Sequence, residues 1–215
     1  KRGDLASAFS RLKTALILAS IATAVTWIWQ NDGPIAATLG MGLAAWLGIG
    51  TISELLVKLR VFQSPAGVWD RLKRLPRYNW GMSLGHFGLA LAIAGMAGAG
   101  GWTKESIQTM RPGETVTVSG YNFNFKGAEN LHGPNYTSVV GNFVVAHEGK
   151  KVANLFAEKR TYLVTGMLTT EAGIHTMLSG DLYAVIGDAE GSEGAFVTRL
   201  YFNPLVVWMW IGCLV

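Results

Sequence analysis

The sequence predicts a polytopic α-helical membrane protein with an inserted all-β domain. Half of its 215 residues are hydrophobic, only 15% are charged, and the mean hydropathy is +0.29, a balance typical of membrane proteins. Long uncharged runs lie in the first half, and short alternating segments fill most of the second half. We therefore expect three full membrane spans and the truncated start of a fourth, with the β-domain between the third and the fourth.

The first two spans are predicted at about residues 14–31 and 33–56. Neither residues 14–31 nor residues 33–53 contain Lys, Arg, Asp or Glu, and each run is long enough to cross a bilayer as a helix. Trp27 and Trp29 are aromatic residues of the kind found at the membrane interface. The short NDGP turn, with Asp32 and a helix-starting Pro34, predicts that the two spans form a helical hairpin.

A basic loop at residues 58–77 separates the second span from a third at about 79–101. The loop carries Lys58, Arg60, Arg71, Lys73, Arg74 and Arg77. The positive-inside rule places it in the cytoplasm, together with the basic N-terminal residues Lys1, Arg2, Arg11 and Lys13. Residues 1–101 would then form the three-helix part, and the chain after it would lie on the far side of the membrane.

His86 is an ionisable residue inside the third predicted span. The segment from Tyr78 to Thr103 contains no Lys, Arg, Asp or Glu, and ionisable groups in such segments are functional candidates. Counted from the basic loop, His86 would lie roughly 10 Å into the membrane at the helical rise. A neutral imidazole bonded to a neighbouring helix, a haem ligand and a proton-relay station all fit. If it binds haem, a second axial ligand must come from elsewhere.

Small residues recur beside His86 at spacings of three and four. Gly81, Gly85, Gly88, Ala92 and Gly95 fall on one thin helix face. Such a face permits close packing with a neighbouring helix. Alternatively, it lets a flat macrocycle approach while the neighbouring imidazole binds iron.

Residues 102–202 predict an all-β domain, either a small sandwich or an open barrel. In the segment YNFNF, starting at Tyr121, aromatic and asparagine residues alternate with the period of a half-buried strand. HEGK at 147–150 predicts a hairpin turn, and TTEAGIHTML at 169–178 predicts a short helix. Asn203 and Pro204 would start the truncated fourth span, at residues 203–215.

The remaining polar residues give weaker indications of a functional site. His132, His147 and His175 lack ligand-type spacing and are interpreted as surface or loop histidines. Glu158, Lys159 and Arg160 form either a solvated strand end or a receptor for a haem propionate. The Trp69–Asp70 pair is assigned no function.

Several classes of function are excluded by composition and motif. The single cysteine, Cys213, rules out an internal disulfide, a CxxC pair and a Cys-rich zinc site. The charges cluster beside apolar runs, so the small net charge of +4 is not a nucleic-acid footprint. No P-loop, GxSxG or HExxH motif supports a hydrolase or a kinase.

Several stretches in order resemble one family. WGMSLGHFGLALAIAGMAG, YNFNFKGAENLHGPNYTSVVGNF, LFAEKRTYLVTGMLTTEAGIHT, GDLYAVIGD and VTRLYFNPLVVWMWIG are similar to the C-terminal part of the CcmF family (CcmF, CycK and NrfE type). These are integral membrane haem lyase subunits of bacterial cytochrome c maturation. The resemblance covers residues 72–215.

The resemblance implies a function in attaching haem covalently to the CxxCH thiols of apocytochrome c. It implies a multi-pass protein of the bacterial inner membrane whose β-domain faces the periplasm. Its implied partners are the haem chaperone CcmE, CcmH-type and CcmI-type subunits that handle the apocytochrome and its thiols, apocytochrome c and membrane lipid, without nucleic acid.

The resemblance also implies a b-type haem held between two transmembrane histidines. His86, in the WGMSLGH motif, corresponds to one axial ligand of its iron. The second axial ligand and the tryptophan-rich haem surface of the family are expected outside this sequence. As a subunit fragment of a cytochrome c haem lyase, the chain is therefore expected to be inactive alone.

Two other classes of function stay open at this point. In a transporter or channel subunit, His86 would titrate and the β-domain would capture a ligand. In a structural membrane partner subunit, the glycine face would dock another protein, and His86 would make only a hydrogen bond.

Overall fold

A computed structural model of the chain describes residues 5–30, 33–191 and 194–215, with side chains from residue 13 onwards. Two compact units emerge, a helical one and a β one, and the second comprises Thr103–Pro204. The prediction that Asp32 and its neighbours form a turn, and the basic residues Lys1 and Arg2, lie outside the described residues.

The helical unit contains α1 (Leu5–Trp29), α2 (Ile35–Lys58), α3 (Val68–Lys73), α4 (Arg77–Trp102) and α5 (Val206–Leu214). Helix α2 packs between α1 and α4, and α5 packs on the opposite side of α4. Pro34 is the N-cap residue of α2, so the helix begins at Ile35, one residue later than the predicted start at Pro34. Within the basic loop, Arg71 Nε donates a hydrogen bond of 2.7 Å to the Leu59 carbonyl and so ties α3 to the end of α2.

Among the described residues, α2 and α4 are long and apolar enough to cross a membrane, with mean hydropathies of 1.7 and 1.4. The described apolar part of α1, Lys13–Trp29, is shorter than the usual span length. The number of spans, and the side on which the β unit lies, therefore stay predictions.

The β unit is a sandwich of two antiparallel sheets. One sheet has the strand order β1-β9-β8-β7 and the other the order β2-β3-β4-β5-β6. The strands are β1 (Lys104–Met110), β2 (Thr115–Val118), β3 (Tyr121–His132), β4 (Tyr136–His147), β5 (Lys150–Tyr162), β6 (Leu168–Glu171), β7 (Gly173–Met177), β8 (Gly180–Ala189) and β9 (Phe196–Pro204).

The inward faces of the two sheets form one hydrophobic core. The alternation predicted for YNFNF is confirmed, because Phe123 and Phe125 are fully buried. Cross-strand pairing of β3 with β4 places Phe125 opposite Phe143, with ring centroids 5.0 Å apart. The other buried members are Met110, Val118, Val145, Leu155, Ala157, Leu182, Ala184, Ile186 and Leu200.

The predicted hairpin turn at HEGK is also confirmed. His147 ends β4 and Lys150 begins β5, while Glu148 and Gly149 adopt positive φ angles of 49° and 77°. Two successive residues with positive φ are typical of a type I′ turn, whose twist matches that of the flanking strands.

The short helix predicted at residues 169–178 is wrong. The segment forms β6 and β7, which belong to different sheets. Its β-branched residues favour strands, and Gly173 marks the crossing between the sheets. A Cβ atom there would lie 2.9 Å from the Phe156 backbone nitrogen, so the crossing requires a residue without a side chain.

The fourth apolar helix begins later than predicted. Asn203 and Pro204 are the last residues of β9, and α5 starts at Val206. Leu205 forms the junction in a left-handed conformation, with φ of 58°. Asn203 is held in the sheet by pairing with Asp181 of β8, which explains why the strand extends across these two residues.

Candidate functional site

His86 lies at a groove between α2 and α4. The groove has a volume of about 850 Å³; it is lined by α2 residues between Trp46 and Lys58, by Met82, Ser83 and His86 of α4, and by Thr14 and Phe62. We call it the α2–α4 groove. Most of its lining is apolar, as expected of a site for a hydrophobic ligand with a few polar contacts.

The register of the two helices fixes the level of His86 in the groove. The helices run antiparallel, since a Cβ atom at Gly48 would lie 3.5 Å from the Ala90 side chain and one at Gly40 would lie 2.9 Å from that of Ala97. Continued along the helices, this register sets His86 level with Ile52. His86 is nine residues after the first residue of α4, or about 14 Å along the helix axis.

The His86 imidazole is oriented by its own helix. Its Nδ1 atom lies 2.7 Å from the carbonyl oxygen of Met82. A carbonyl oxygen only accepts hydrogen bonds, so Nδ1 carries the hydrogen, and in the neutral imidazole Nε2 then keeps its lone pair. This tautomer, fixed by a backbone carbonyl, is the one that histidine ligands of metals commonly adopt. Nε2 is therefore the ring atom of His86 that could coordinate a metal.

Space for a bulky group is available around this imidazole. A Cβ atom added at Gly50, which lines the groove, would meet nothing within 4 Å, and the same holds for Gly81 and Gly85 on α4. No group of three or more His, Cys, Asp or Glu among the described residues is arranged to hold a bare metal ion.

The rest of the glycine face packs against α5. A Cβ atom at Gly88 would lie 2.6 Å from the Gly212 carbonyl oxygen, and one at Gly95 would collide with the backbone nitrogen of Met209. Gly212 in turn faces the backbone of Ala92. Close helix packing therefore accounts for the half of the face from Gly88 onwards, and the open half is the one next to His86.

Two residues that line the groove, Glu54 and Lys58, belong to a polar cluster that the sequence patterns did not indicate. Lys58 Nζ donates to Asn79 Oδ1 at 2.9 Å and lies 2.9 Å from Glu54 Oε1. Lys58 was counted only as a charge of the basic loop. The i, i+4 spacing of Glu54 and Lys58 could have indicated their ion pair, but the link to Asn79 depends on tertiary packing.

The three histidines of the β unit lie away from one another. His147 stacks on Tyr121 at 4.7 Å, and its Nδ1 atom lies 3.0 Å from the Gly120 carbonyl oxygen. His132 ends β3 and His175 lies in β7. The structure brings none of them together as a ligand set.

The Glu158–Arg160 segment lies within β5, where its charges are paired. Arg160 Nε is 2.8 Å from Glu158 Oε2, and the guanidinium lies over the Tyr136 ring at 4.6 Å. The hydrogen bond to Glu158 raises the pKa of Arg160. Lys159 forms an ion pair with Asp188. The three side chains are therefore paired within the β unit, and a contact of this cluster with a propionate stays a prediction.

Two further groups of the β unit have raised pKa values. A hydrogen bond to Glu105, followed by burial, raises the pKa of the Tyr201 hydroxyl. Burial raises the pKa of the Asp181 carboxyl, and its Thr176 and His175 neighbours only partly oppose the shift. Both belong to the outer face of the four-stranded sheet and lie outside the α2–α4 groove.

Comparison with known proteins relates both units to one family. The model for the CcmF C-terminal β-sandwich matches residues 101–204. The cytochrome c-type biogenesis protein CycK of Rhizobium meliloti (strain 1021) is 38% identical over 216 residues, covering all of this chain and 32% of CycK. The cytochrome c-type biogenesis protein CcmF of Escherichia coli (strain K12) is 31% identical, covering 94% of this chain and 30% of CcmF.

The fold resembles a solved structure over nearly its whole length. The structure described as cytochrome c heme lyase CcmF superposes with a TM-score of 0.72 at 19% identity, over 99% of this chain and 33% of that chain. At this identity the likeness concerns the fold alone. The chain spans about a third of the length of the curated relatives it matches.

Proposed function

This chain belongs to the CcmF family, as its C-terminal portion, and from that premise we propose that it acts in cytochrome c maturation as part of an inner-membrane haem lyase subunit. The relatives are named cytochrome c-type biogenesis proteins, and the structural neighbour is named a heme lyase. The β-sandwich would face the periplasm as a scaffold and docking surface for the haem chaperone, the thiol-handling subunits and apocytochrome c.

Within this role, the α2–α4 groove binds a b-type haem through His86. The observation that carries the proposal is the hydrogen bond of Nδ1 to the Met82 carbonyl, which leaves Nε2 as the donor atom. The open space at Gly50 and the apolar lining of the groove fit a flat macrocycle. The second axial ligand would come from a segment of the parent protein outside this sequence.

The residues of the groove hold, orient and shield the ligand. His86 would hold the iron, and its hydrogen bond to the Met82 carbonyl would keep the imidazole from rotating. The aromatic and aliphatic side chains of the groove, Trp46 and Phe62 among them, would supply apolar surface to the ligand, and the polarity around a haem tunes its reduction potential. When bound, the haem supplies one-electron redox chemistry within the membrane.

The test is the reduced-minus-oxidised visible spectrum of the full-length parent protein, purified from membranes at matched protein levels. We expect His86→Ala to abolish the b-type bands and to impair cytochrome c maturation. His175→Ala, in the β unit, is the matched control and should leave the bands intact. An unchanged spectrum in His86→Ala would remove His86 from the haem site.

A further inference from the structure

We propose that Lys58, held in place by Asn79, is the anchoring point for a propionate carboxylate of the haem bound by His86. The proposal rests on the proposed function and names a second contact within the same site. Lys58 and His86 both line the α2–α4 groove, but they belong to different helices, so the ligand would bridge α2 and α4.

The Lys58 ammonium is held at a defined place. Asn79, whose Oδ1 accepts its hydrogen bond at 2.9 Å, is a buried residue with 8% exposure. Because the Asn79 amide is buried, the side chain that accepts the hydrogen bond from Lys58 is held in one position. An ammonium has three N–H donors, and Asn79 and Glu54 account for two of them. An anionic group in the groove can accept from the third donor and compete with the exposed Glu54 carboxylate for the same ammonium.

The spacing between the two contacts matches the shape of haem. Asn79 and His86 are seven residues apart on α4, which is about 10 Å along the helix axis. Lys58 Nζ lies beside Asn79, at the same level. A haem carries its carboxylates on flexible chains at the edge of the ring, so iron bound at His86 would place a propionate within reach of this ammonium.

Glu54 occupies the ammonium while the groove awaits its ligand. The Glu54 side chain is 56% exposed and lies one helical turn before Lys58. Exposed pairs at this spacing contribute little to stability, so Glu54 can turn towards solvent at little cost. A carboxylate that enters from the apolar groove meets the ammonium with less water between them, and the attraction is correspondingly stronger.

This geometry predicts opposite effects for the two charged residues. Lys58→Gln removes the charge that binds the propionate, so the haem should be lost on the order of tenfold faster, as expected for one charge-assisted hydrogen bond. Glu54→Gln removes the competing carboxylate, so haem loss should slow. Lys58→Arg keeps the charge and should lie near the wild type.

The experiment uses the full-length parent protein with its bound haem. Three quantities are measured for each variant: the rate of haem transfer to excess apomyoglobin, the midpoint potential, and the propionate bending bands in resonance Raman spectra. Lys58→Gln should shift these bands and lower the midpoint potential, because the nearby ammonium disfavours the additional positive charge of the oxidised haem and the substitution removes that ammonium. Lys73→Gln, a basic residue of α3, is the matched control and should change none of them.

The outcomes separate this inference from the proposed function. If Lys58→Gln and Glu54→Gln leave all three quantities unchanged while His86→Ala loses the haem, the anchor is refuted and the haem site stands. If His86→Ala keeps its b-type bands, the haem site itself is refuted. If Lys58→Gln releases bound phospholipid without altering the haem, Lys58 binds a lipid phosphate, and the inference is overturned.

Discussion

Replacement of Gly95 by alanine tests whether α4 and α5 are held together by backbone contact. A Cβ atom at this position would collide with the Met209 backbone nitrogen and lie 2.9 Å from the Met209 Cα atom. Backbone atoms cannot rotate away as a long side chain can, so the whole of α5 must move relative to α4. Overpacking of this kind costs about 1–3 kcal/mol, and the obstruction by backbone places Gly95→Ala towards the upper end.

Gly100→Ala isolates the part of the effect that has no steric origin. Gly100 lies on the same helix, and a Cβ atom there would meet nothing within 4 Å. Both substitutions gain the helix propensity of alanine over glycine, about 1 kcal/mol. The difference between the two variants therefore measures the steric cost alone, and we expect Gly95→Ala to be less stable than Gly100→Ala by about 1–3 kcal/mol.

The assay is unfolding of the full-length parent protein in mixed micelles with increasing dodecyl sulfate, followed by tryptophan fluorescence. Equal midpoints for the two variants would refute the reasoning, because they would mean that α5 does not pack on α4 at Gly95. A Gly100→Ala variant that unfolds earlier than the wild type would refute it equally, since nothing within 4 Å of the added Cβ atom accounts for such a loss.

Three predictions concern the β unit, each measured on the parent protein by its thermal unfolding. Phe143→Ala should cost about 3–5 kcal/mol, since Phe143 is fully buried, whereas Phe156→Ala, at a residue 55% exposed, should cost far less. Glu148→Asn should stabilise the hairpin by up to about 1 kcal/mol, because asparagine tolerates the positive φ of 49° better than glutamate does. Asp181→Asn should raise stability at neutral pH, because burial raises the pKa of this carboxyl.

The sign of the Asp181 effect follows from linkage. The folded carboxyl keeps its proton to a higher pH than the unfolded one, whose ordinary pKa is 3.8. Between the two pKa values the folded state binds more protons, so stability falls as the pH rises through this window. Asp181→Asn should remove that decline. A wild-type stability that rises with pH there, with no difference from the variant, would contradict the assignment.

Much of the β unit could be predicted from the sequence because strand signals are local. Alternation in YNFNF placed Phe123 and Phe125 in the core, and Glu148–Gly149 marked a hairpin. The crossing at Gly173 was missed because it depends on the approach of another strand, at Phe156. A short segment with a threonine cap signal and no knowledge of its neighbours fits a helix equally well.

The candidate site could be predicted only in part, and for a similar reason. His86 was identified because an ionisable residue in an apolar run is visible in one dimension. The orientation of its ring depends on the hydrogen bond to Met82, which follows from the helix and from one rotamer. The α2–α4 groove beside His86 depends on the register of α2 against α4, and no local sequence pattern specifies that register.

Lys58 shows how one residue can satisfy two physical requirements at the end of a helix. As a basic residue just beyond an apolar run, it favours a cytoplasmic position for that end of α2. Its long aliphatic stem also lets the ammonium reach back to a buried amide on a different helix, as Asn79 shows. The positive-inside effect needs only a positive charge somewhere in the basic loop. The hydrogen bond to Asn79 needs a lysine at position 58. Moving the lysine to a neighbouring loop position, as in Lys58→Gln combined with Gln63→Lys, would therefore preserve the topology and lose the anchor, which separates the two roles.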